Sequence, residues 1–400
     1  MIANLDSDIG GVTAPRGFRA AGVACGLKTN GALDLALLAG DADCACAGLF
    51  TTNRVKAAPV LYDQQVLARS RDSIRAVVAN SGCANACTGE AGLRDAQAMA
   101  EAAAQAVGCR ADQVLVLSTG VIGKRLDMGK AGVGIAQAAL RLSPDGGAHA
   151  ARAIMTTDTR PKEYAVRHAQ YTIGGMCKGA GMIHPNMATM LAVITTDAAI
   201  SPELLDRALR AAVERSFNRI SVDGDTSTND TVLVLANGSS GYTVREGTEL
   251  EAFTDALTRT AIELATHIVR DCEGATKLVA IVVSGARSET DAAQVGKAIA
   301  NSPLVKTALY GGDANWGRVL AAAGYSGVDI DPGSTALWLG DVQLVANGAP
   351  MAYDESDAAR AIAGPNVSIR LELGLGHAGA TIWTCDLSHE YVTINGKYRT

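Results

Sequence analysis

A threonine at the start of an apolar run is the residue of this chain best placed to do chemistry. Residues 178–191 read KGAGMIHPNMATML, so Thr189 follows a small residue and a glycine-rich loop. The apolar run from Met190 to Thr195 predicts a buried strand. If the Ala188–Thr189 peptide bond breaks, Thr189 becomes a new N-terminus whose α-amine can act as base for its own hydroxyl. Most threonines at strand starts are only strand formers or caps, so the catalytic interpretation needs support from the rest of the chain.

The composition excludes several classes of protein. The chain has 400 residues, of which 48% are hydrophobic and 19% charged, and its net charge is -6. These values exclude a disordered chain, permit a large core, and suggest roughly two or three domains. The negative charge argues against a nucleic-acid or anionic-membrane partner. Because we find no apolar run of membrane-spanning length and no secretory signal, we expect a soluble cytoplasmic protein.

The cysteine and histidine patterns give no metal motif. The nine cysteines include no Cys-x-x-Cys pair, and the six histidines include no His-x-x-x-His pair. We therefore predict reduced, mostly buried thiols and no metal site.

Helical and strand-like segments alternate along the chain, which predicts a mixed α/β fold with an antiparallel, hairpin-rich C-terminal part. The predicted helices are 94–107, 130–142, 148–155, 201–217, 249–270, 291–301 and 316–323. The predicted strands are 75–78, 113–117, 190–195, 231–235, 277–283, 305–309, 338–344, 367–373, 380–386 and 391–394.

Two motifs resemble ligand-binding loops but lack the required context. The glycines at 374, 376 and 379 precede another strand rather than a helix, so they predict a hairpin turn and not a dinucleotide site. Residues 223–230 resemble the start of a calcium loop, but Thr228 and Val234 stand where that loop needs a glycine and an acid. This second segment is either a capped turn or an active-site loop.

Ser118, Thr119 and Gly120 end the predicted strand 113–117. A hydroxyl and an unhindered backbone N–H at a strand end can form an oxyanion site. An ordinary turn is the alternative interpretation.

Taken together, these features resemble the ornithine acetyltransferase family, the glutamate N-acetyltransferases of arginine biosynthesis. The likeness covers nearly the whole chain. Besides the segment around Thr189, it rests on residues 17–22 (GFRAAG), 50–53 (FTTN), 80–89 (NSGCANACTG), 216–225 (SFNRISVDGD), 311–318 (GGDANWGR) and 391–400 (YVTINGKYRT).

The resemblance implies a role for individual residues. Thr189 matches the nucleophile, which self-cleavage after Ala188 exposes, and Thr119 and Gly120 match the oxyanion hole. One of Thr156 and Thr157 matches a substrate contact, and the sequence does not distinguish them. The other implied substrate-binding positions are Lys178, Thr189, Glu273, Asn395 and Thr400.

The resemblance also implies the reaction and the architecture. Acetyl passes from N2-acetyl-L-ornithine to L-glutamate by a ping-pong mechanism through acetyl-Thr189. A lysine suits the α-carboxylate of such a substrate, and an acid suits its side-chain ammonium. The resemblance implies no cofactor and leaves open whether acetyl-CoA is a second acetyl donor. The expected fold is a layered sandwich of helices and mixed sheets, like that of N-terminal-nucleophile enzymes.

Self-cleavage would give an α-chain of residues 1–188 and a β-chain of residues 189–400, expected to assemble as an α2β2 heterotetramer. Two other functions remain open at this point. One is an N-terminal-nucleophile amidase or aminopeptidase that passes the acyl group to water. The other is a non-catalytic binding or assembly protein on the same fold.

Overall fold

The computed structural model describes residues 10–184 and 190–397, and it divides into two compact units. The first unit contains the described residues up to Asn218 together with Asp225–Ile268. The second contains Arg219–Gly224 and the described residues from Val269 onward. These two units differ from the two chains, 1–188 and 189–400, that self-cleavage is predicted to produce. That division into chains stays a prediction.

The described residues form a mixed α/β fold, as the sequence predicts. The strands are β1 (Phe18–Val23), β2 (Leu35–Phe50), β3 (Ile74–Cys83), β4 (Val114–Val121), β5 (Lys162–Arg167), β6 (Thr172–Lys178), β7 (Leu191–Thr196), β8 (Thr231–Ala236), β9 (Leu278–Ala286), β10 (Ala336–Leu339), β11 (Val342–Ala346), β12 (Ala349–Pro350), β13 (Asn366–Glu372) and β14 (Ala378–Cys385).

The α-helices within the described ranges connect these strands. They are α1 (Ala58–Ser70), α2 (Gly89–Val107), α3 (Met128–Ala139), α4 (Gly147–Ala153), α5 (Pro202–Glu214), α6 (Thr248–Arg270), α7 (Glu289–Ala300), α8 (Pro303–Gly311), α9 (Trp316–Gly324), α10 (Glu355–Ala363) and α11 (His389–Lys397). Among these helices, none has both the length and the apolar character needed to cross a membrane.

The first unit is built on a mixed sheet to which the described residues contribute eight strands. The strand order is β4-β3-β2-β8-β7-β6-β5, and β1 pairs with β2. The long strand β2 pairs with β3 in its first part and with β8 from Ala45 to Phe50. A register shift between Ala39 and Cys44 separates these two parts. Such an irregularity bends a strand, and here it lets β2 serve two sets of neighbours.

Helices cover both faces of this sheet. Successive side chains of a strand point to opposite faces, and here the side chains on both faces are apolar. Ala76 and Val78 of β3 belong to a core cluster with residues of α2 and α3. Val77 and Ala79 belong to a second cluster that includes residues of α4. The first unit thus has the layered arrangement of helices and a mixed sheet that was expected.

The second unit has a six-stranded mixed sheet within the described residues, in the order β12-β11-β10-β13-β9-β14. One face of β9 packs into a core that includes residues of helices α7, α9 and α10. The β9 residues in this core are Val279, Ile281 and Val283. The hairpin-rich character predicted for the C-terminal part is confirmed for β10, β11 and β12, which pair antiparallel in succession.

Several local predictions in this unit are wrong. Residues 305–309 are helical in α8, because Ser302 caps a helix with Pro303 at its first position and this outweighs a short apolar run. Residues 391–394 are helical in α11, despite their strand-forming side chains. The single strand predicted for 338–344 is two strands, β10 and β11, joined by a turn at Gly340.

The glycine-rich loop 374–379 is not a hairpin turn. It joins β13 to β14, and these strands lie on opposite sides of β9, with β13 parallel and β14 antiparallel to it. Because a strand and not a helix follows the loop, it lacks the context of a dinucleotide site, as the sequence predicts.

A buried acid seals the edge of the first sheet. Strand β4 is an edge strand, and helix α1 packs along it. Asp63 of α1 is fully buried, and its Oδ1 accepts a hydrogen bond from the backbone nitrogen of Val116 at 2.7 Å. Burial raises the pKa of Asp63 well above its ordinary value, although this hydrogen bond lowers it in part. The carboxyl therefore satisfies an edge N–H while it stays protonated.

This arrangement predicts the effect of Asp63→Asn on stability at different pH values. Unfolded Asp63 loses its proton near pH 4 and the folded group does not, so its contribution to stability falls as pH rises above that value. The amide in the variant would not titrate. Urea unfolding from pH 5 to 8 should show the variant gaining on the wild type by up to about 1.4 kcal/mol per pH unit. Asp72→Asn, at an exposed position, is the control; a flat difference for Asp63→Asn would contradict the prediction.

Candidate active site

The predicted oxyanion residues lie at the adjoining ends of strands β3 and β4. These strands are parallel, with Ser81 opposite Thr119 and Gly82 opposite Gly120. Ser118, just before them, is fixed by the hydrogen bond that its Oγ donates to Asn80 Oδ1 at 2.6 Å. Parallel strands end at the same edge of a sheet, and active-site residues commonly lie at that edge. The sequence placed Thr119 and Gly120 correctly at a strand end.

Only glycine fits at position 120. Its φ of 131° lies in the region that side chains avoid, and a Cβ there would lie 2.4 Å from the carbonyl carbon of Gly82. The backbones of β3 and β4 therefore approach closely at this point. A residue with a side chain would push apart the strand ends that carry Thr119.

Lys178 ends strand β6 and reaches Thr119. Its side chain is buried, and its Nζ donates a hydrogen bond to Thr119 Oγ1 at 3.3 Å. A hydroxyl that accepts from an ammonium keeps its own proton for another acceptor. The contact thus orients Thr119 as a donor, and the nearby positive charge favours an anion at the same place.

The buried charge of Lys178 is balanced by Asp158. The side chains of Asp158 and Lys162 are 0% and 1% exposed, and Lys162 Nζ lies 2.5 Å from Asp158 Oδ1. Burial alone would raise the pKa of Asp158, but the ammonium groups of Lys178 and Lys162, with hydrogen bonds from Lys162 and Thr156, lower it to about 2. Asp158 is therefore ionised at neutral pH, and its single negative charge is shared by two ammonium groups.

Asp158 also holds two backbone segments of the site together. Its Oδ1 accepts from the backbone nitrogen of Gly179 at 2.8 Å, and its Oδ2 accepts from that of Thr156 at 2.9 Å. The structure thus brings the turn with Thr156 and Thr157 next to the end of β6. Both threonines are half-buried, and the choice between them as substrate contact stays open.

Asn229 and Asp230 directly precede strand β8 and form hydrogen bonds with other segments of the site. The side-chain nitrogen of Asn229 donates to the carbonyl oxygens of Ala84 at 2.7 Å and Ser118 at 2.8 Å. Asp230 Oδ1 accepts from the backbone nitrogen of Met190 at 2.7 Å. The loop that the sequence left as either a capped turn or an active-site loop therefore contacts both β4 and the residue after Thr189.

In the second unit, the structure brings together Glu273 and Asn395, to which the family resemblance assigned substrate-binding roles. Glu273 is buried, and its Oε2 accepts a hydrogen bond from Asn395 Nδ2 at 2.7 Å. Asn395 lies on α11, the helix that replaces a predicted strand, and also donates to the Tyr391 carbonyl oxygen at 3.0 Å. This pair offers a carboxylate, which suits a cationic group.

Three predicted site residues, Ala188, Thr189 and Thr400, lie outside the described residues. Strand β7, predicted directly after Thr189, is present at Leu191–Thr196 and pairs with both β6 and β8. Within residues 10–184 and 190–397, no group of His, Cys, Asp and Glu side chains could hold a metal ion. The nine cysteines all lie in the described ranges and form no disulfide there, and six of them are buried.

Sequence reasoning singled out the loop 223–230 but gave no role to Asn229 or Asp230, and it gave none to Asp158. Asp158 follows the Thr156–Thr157 pair, and the other two lie in a polar run before a strand. Polar residues next to strand ends are ordinary turn formers, so their burial was not visible in the sequence. The sequence did contain a signal for two of them. A long polar run directly before an all-apolar strand is expected to lie at the end of that strand, where loops carry functional residues.

Comparison with known proteins identifies the family. A family model described as the ArgJ family matches residues 19–400. The chain belongs to the ArgJ family. The resemblance seen in the sequence is thereby confirmed. One ArgJ relative, the arginine biosynthesis bifunctional protein ArgJ of Symbiobacterium thermophilum, is 55% identical and aligns over 98% of this chain and 99% of its own. A mitochondrial ArgJ protein of Yarrowia lipolytica is 48% identical, over 97% of this chain and 94% of its own.

Two similar solved structures each cover about half of the chain. The ornithine acetyltransferase of Mycobacterium tuberculosis, crystallised with ornithine, is 50% identical with a TM-score of 0.44, covering 47% of this chain and 100% of that one. The ArgJ protein of Bacillus halodurans is 39% identical with a TM-score of 0.49, covering 51% and 97%.

The contacts of Asn229 predict a large effect of Asn229→Ala. The change leaves two buried carbonyl oxygens without a donor, and each such group costs about 1–3 kcal/mol. Urea unfolding should show a loss of about 2–4 kcal/mol. Asn30→Ala removes a single hydrogen bond, to the Ala32 N–H at an exposed turn, and should change stability little. Equal effects of the two changes would mean that Asn229 does not hold β4 in place.

Proposed function

We propose that this protein is a glutamate N-acetyltransferase. It transfers acetyl from N2-acetyl-L-ornithine to L-glutamate through an acetyl-Thr189 intermediate, in arginine biosynthesis. The observation that carries the proposal is the match to the ArgJ family along almost the whole chain, with a relative 55% identical over 98% of it. The contact between Lys178 and Thr119 also supports it, because two residues to which the resemblance gives roles meet in one buried site.

The first half of the reaction would attack the acetyl carbonyl of the donor. The α-amine of Thr189, with an ordinary pKa of about 7.7–8.0, takes the hydroxyl proton as the oxygen attacks. Negative charge develops on the acetyl oxygen, and the Thr119 hydroxyl and Gly120 N–H are the proposed donors to it. A single donor of this kind typically lowers the barrier by about 2.7–4 kcal/mol. Ornithine then leaves as the amine, and acetyl remains on Thr189.

The second half reverses these steps with a different amine. Glutamate binds in place of ornithine, and its α-amine attacks the acetyl ester, which regenerates the Thr189 hydroxyl. The ammonium of Lys178 is the proposed partner of the α-carboxylate that both amino acids share. The carboxylate of Glu273 is proposed to bind the side-chain ammonium of ornithine.

The amidase alternative uses the same nucleophile but passes the acyl group to water. Full-length membership of the ArgJ family favours the transferase. We propose further that the two chains, 1–188 and 189–400, assemble as α2β2, that the protein works in the cytoplasm, and that it needs no resident cofactor. Acetyl-CoA as a second donor can be tested in the same assay.

The proposed maturation predicts two chains for the wild type and one for Thr189→Ala. Without the hydroxyl there is no attack on the preceding carbonyl, so the precursor should stay intact. Intact mass spectrometry should find fragments 1–188 and 189–400 in the wild type and a 400-residue chain in the variant. Thr307→Ala, at an exposed position in α8, should split like the wild type. A full-length chain in active wild-type protein would refute the cleavage.

The transferase proposal predicts that ornithine release depends on glutamate. Incubation with N2-acetyl-L-ornithine alone should release no more ornithine than the amount of enzyme, because acetyl-Thr189 then waits for an acceptor. Added glutamate should start sustained turnover and yield N-acetylglutamate, both measurable by mass spectrometry. Thr189→Ala supplies the background rate. Sustained release without glutamate would instead establish the hydrolase.

A further inference from the structure

The carboxyl group of Asp230 is buried beside the start of strand β7, and the proposed reaction does not yet use it. Asp230 is 2% exposed. Its Oδ1 accepts a hydrogen bond from the backbone nitrogen of Met190 at 2.7 Å. The backbone nitrogen of Thr231 donates to the Met190 carbonyl oxygen at 3.0 Å. Met190 is therefore held through both its N–H and its C=O by the beginning of β8.

The other carboxyl oxygen of Asp230 lacks a donor. Oδ2 is buried and has no hydrogen-bond partner within the described residues. The Thr51 hydroxyl lies beside this carboxyl, but it donates its proton to the Ser227 carbonyl oxygen at 2.7 Å. A buried polar atom without a partner costs about 1–3 kcal/mol, so its presence in a tightly built site calls for a function.

One further nitrogen is joined covalently to the anchored Met190. The Met190 nitrogen, which Oδ1 holds, is bonded to the carbonyl carbon of Thr189. The α-nitrogen of Thr189 therefore lies within about 4 Å of the Met190 nitrogen in any conformation. Cleavage of the Ala188–Thr189 bond changes that nitrogen from an amide into a primary amine, which gains N–H donors.

We propose that Asp230 is a positioning residue for the α-amine of Thr189, with Oδ2 as the acceptor of its hydrogen bond and Oδ1 as the anchor of Met190. The inference rests on the proposed self-cleavage. The carboxyl and the amine share one proton. The carboxyl carries it in the precursor, the amine takes it after cleavage, and it returns to Oδ2 when the amine acts as the base. No further proton donor or acceptor is needed.

The electrostatics of the site agree with a shared proton. Burial raises the pKa of Asp230 well above its ordinary value, while the Met190 hydrogen bond and the ammonium of Lys178 on β6 lower it in part. A protonated acid in the uncleaved chain avoids burying a charge without a partner. An amine formed beside it converts the pair into carboxylate and ammonium, each with its partner in place.

The test measures the pKa of the β-chain α-amine in the wild type and in Asp230→Asn. The amide side chain of the variant would keep an oxygen for the Met190 N–H but present no negative charge to the amine. The rate of labelling of this amine by acetic anhydride, followed by mass spectrometry from pH 5 to 10, gives its pKa. The amine of the variant should have a pKa lower by about one unit or more, because an adjacent carboxylate stabilises the ammonium.

Asp225→Asn is the matched control, since Asp225 lies in the same loop and is exposed. It should leave the amine pKa at the wild-type value. In the wild type the amine passes its proton to Oδ2, so only in Asp230→Asn should kcat/KM acquire a rising limb at the pKa of the amine, whereas a purely structural loss would lower kcat without changing the pH profile. An unchanged amine pKa in Asp230→Asn would overturn the inference. The labelling needs no acetyl transfer, so failure of the transferase assay is a separate result.

A second measurement tests the inference without the Asp230→Asn variant, in case that variant does not self-cleave. Infrared spectra of protein with carboxyl-labelled aspartate can be compared at pH 7 between uncleaved Thr189→Ala and cleaved wild type. Asp63 stays protonated in both and cancels in the difference. Cleavage should remove one protonated-carboxyl band and add one carboxylate band. Identical spectra would refute the pairing.

Discussion

Two lysine side chains inside the first unit need a counter-charge, and the carboxylate of Asp158 supplies it. Lys162 begins β5 and Lys178 ends β6, so one buried anion holds the two strands together at the same end of this antiparallel pair. Removing one partner of such a group typically costs about 3–5 kcal/mol, because the remaining charge stays buried. The same oxygens bind the backbone at Thr156 and Gly179. The position of Lys178, and through it the orientation of Thr119, therefore depends on Asp158.

The site is assembled at strand ends by groups that are each held twice. Ser118 is fixed through its hydroxyl by Asn80 and through its carbonyl oxygen by Asn229. Met190 is fixed through its nitrogen by Asp230 and through its oxygen by Thr231. Double anchoring leaves the flanking residues little freedom, which is how a scaffold keeps reacting groups oriented before the substrate arrives.

Long segments with a clear hydrophobic periodicity were predictable from the sequence. Helix α6 and strands β7 and β8 lie close to their predicted bounds, and α2 ends where predicted but begins earlier, because amphipathic spacing and apolar runs report burial directly. The sequence did not reveal β2, whose two halves pair with different strands, or the helix at 391–394. Thr119 and Gly120 were predicted as site residues from a strand end, and Lys178 through the family resemblance. Asp158, Asn229 and Asp230 were not, because only tertiary packing distinguishes a buried polar residue from one in a solvated turn.

Strands β6 and β7 are adjacent and antiparallel, and the proposed cut lies between them. Before cleavage the chain folds as one molecule, with this pairing closed by a short connection. After cleavage the same pairing joins separate polypeptides, so any unfolding event lets them diffuse apart. Refolding then becomes a second-order process that slows on dilution. The lifetime of the mature protein would thus depend on a high activation barrier to unfolding and not on rapid refolding. Its stability would be kinetic.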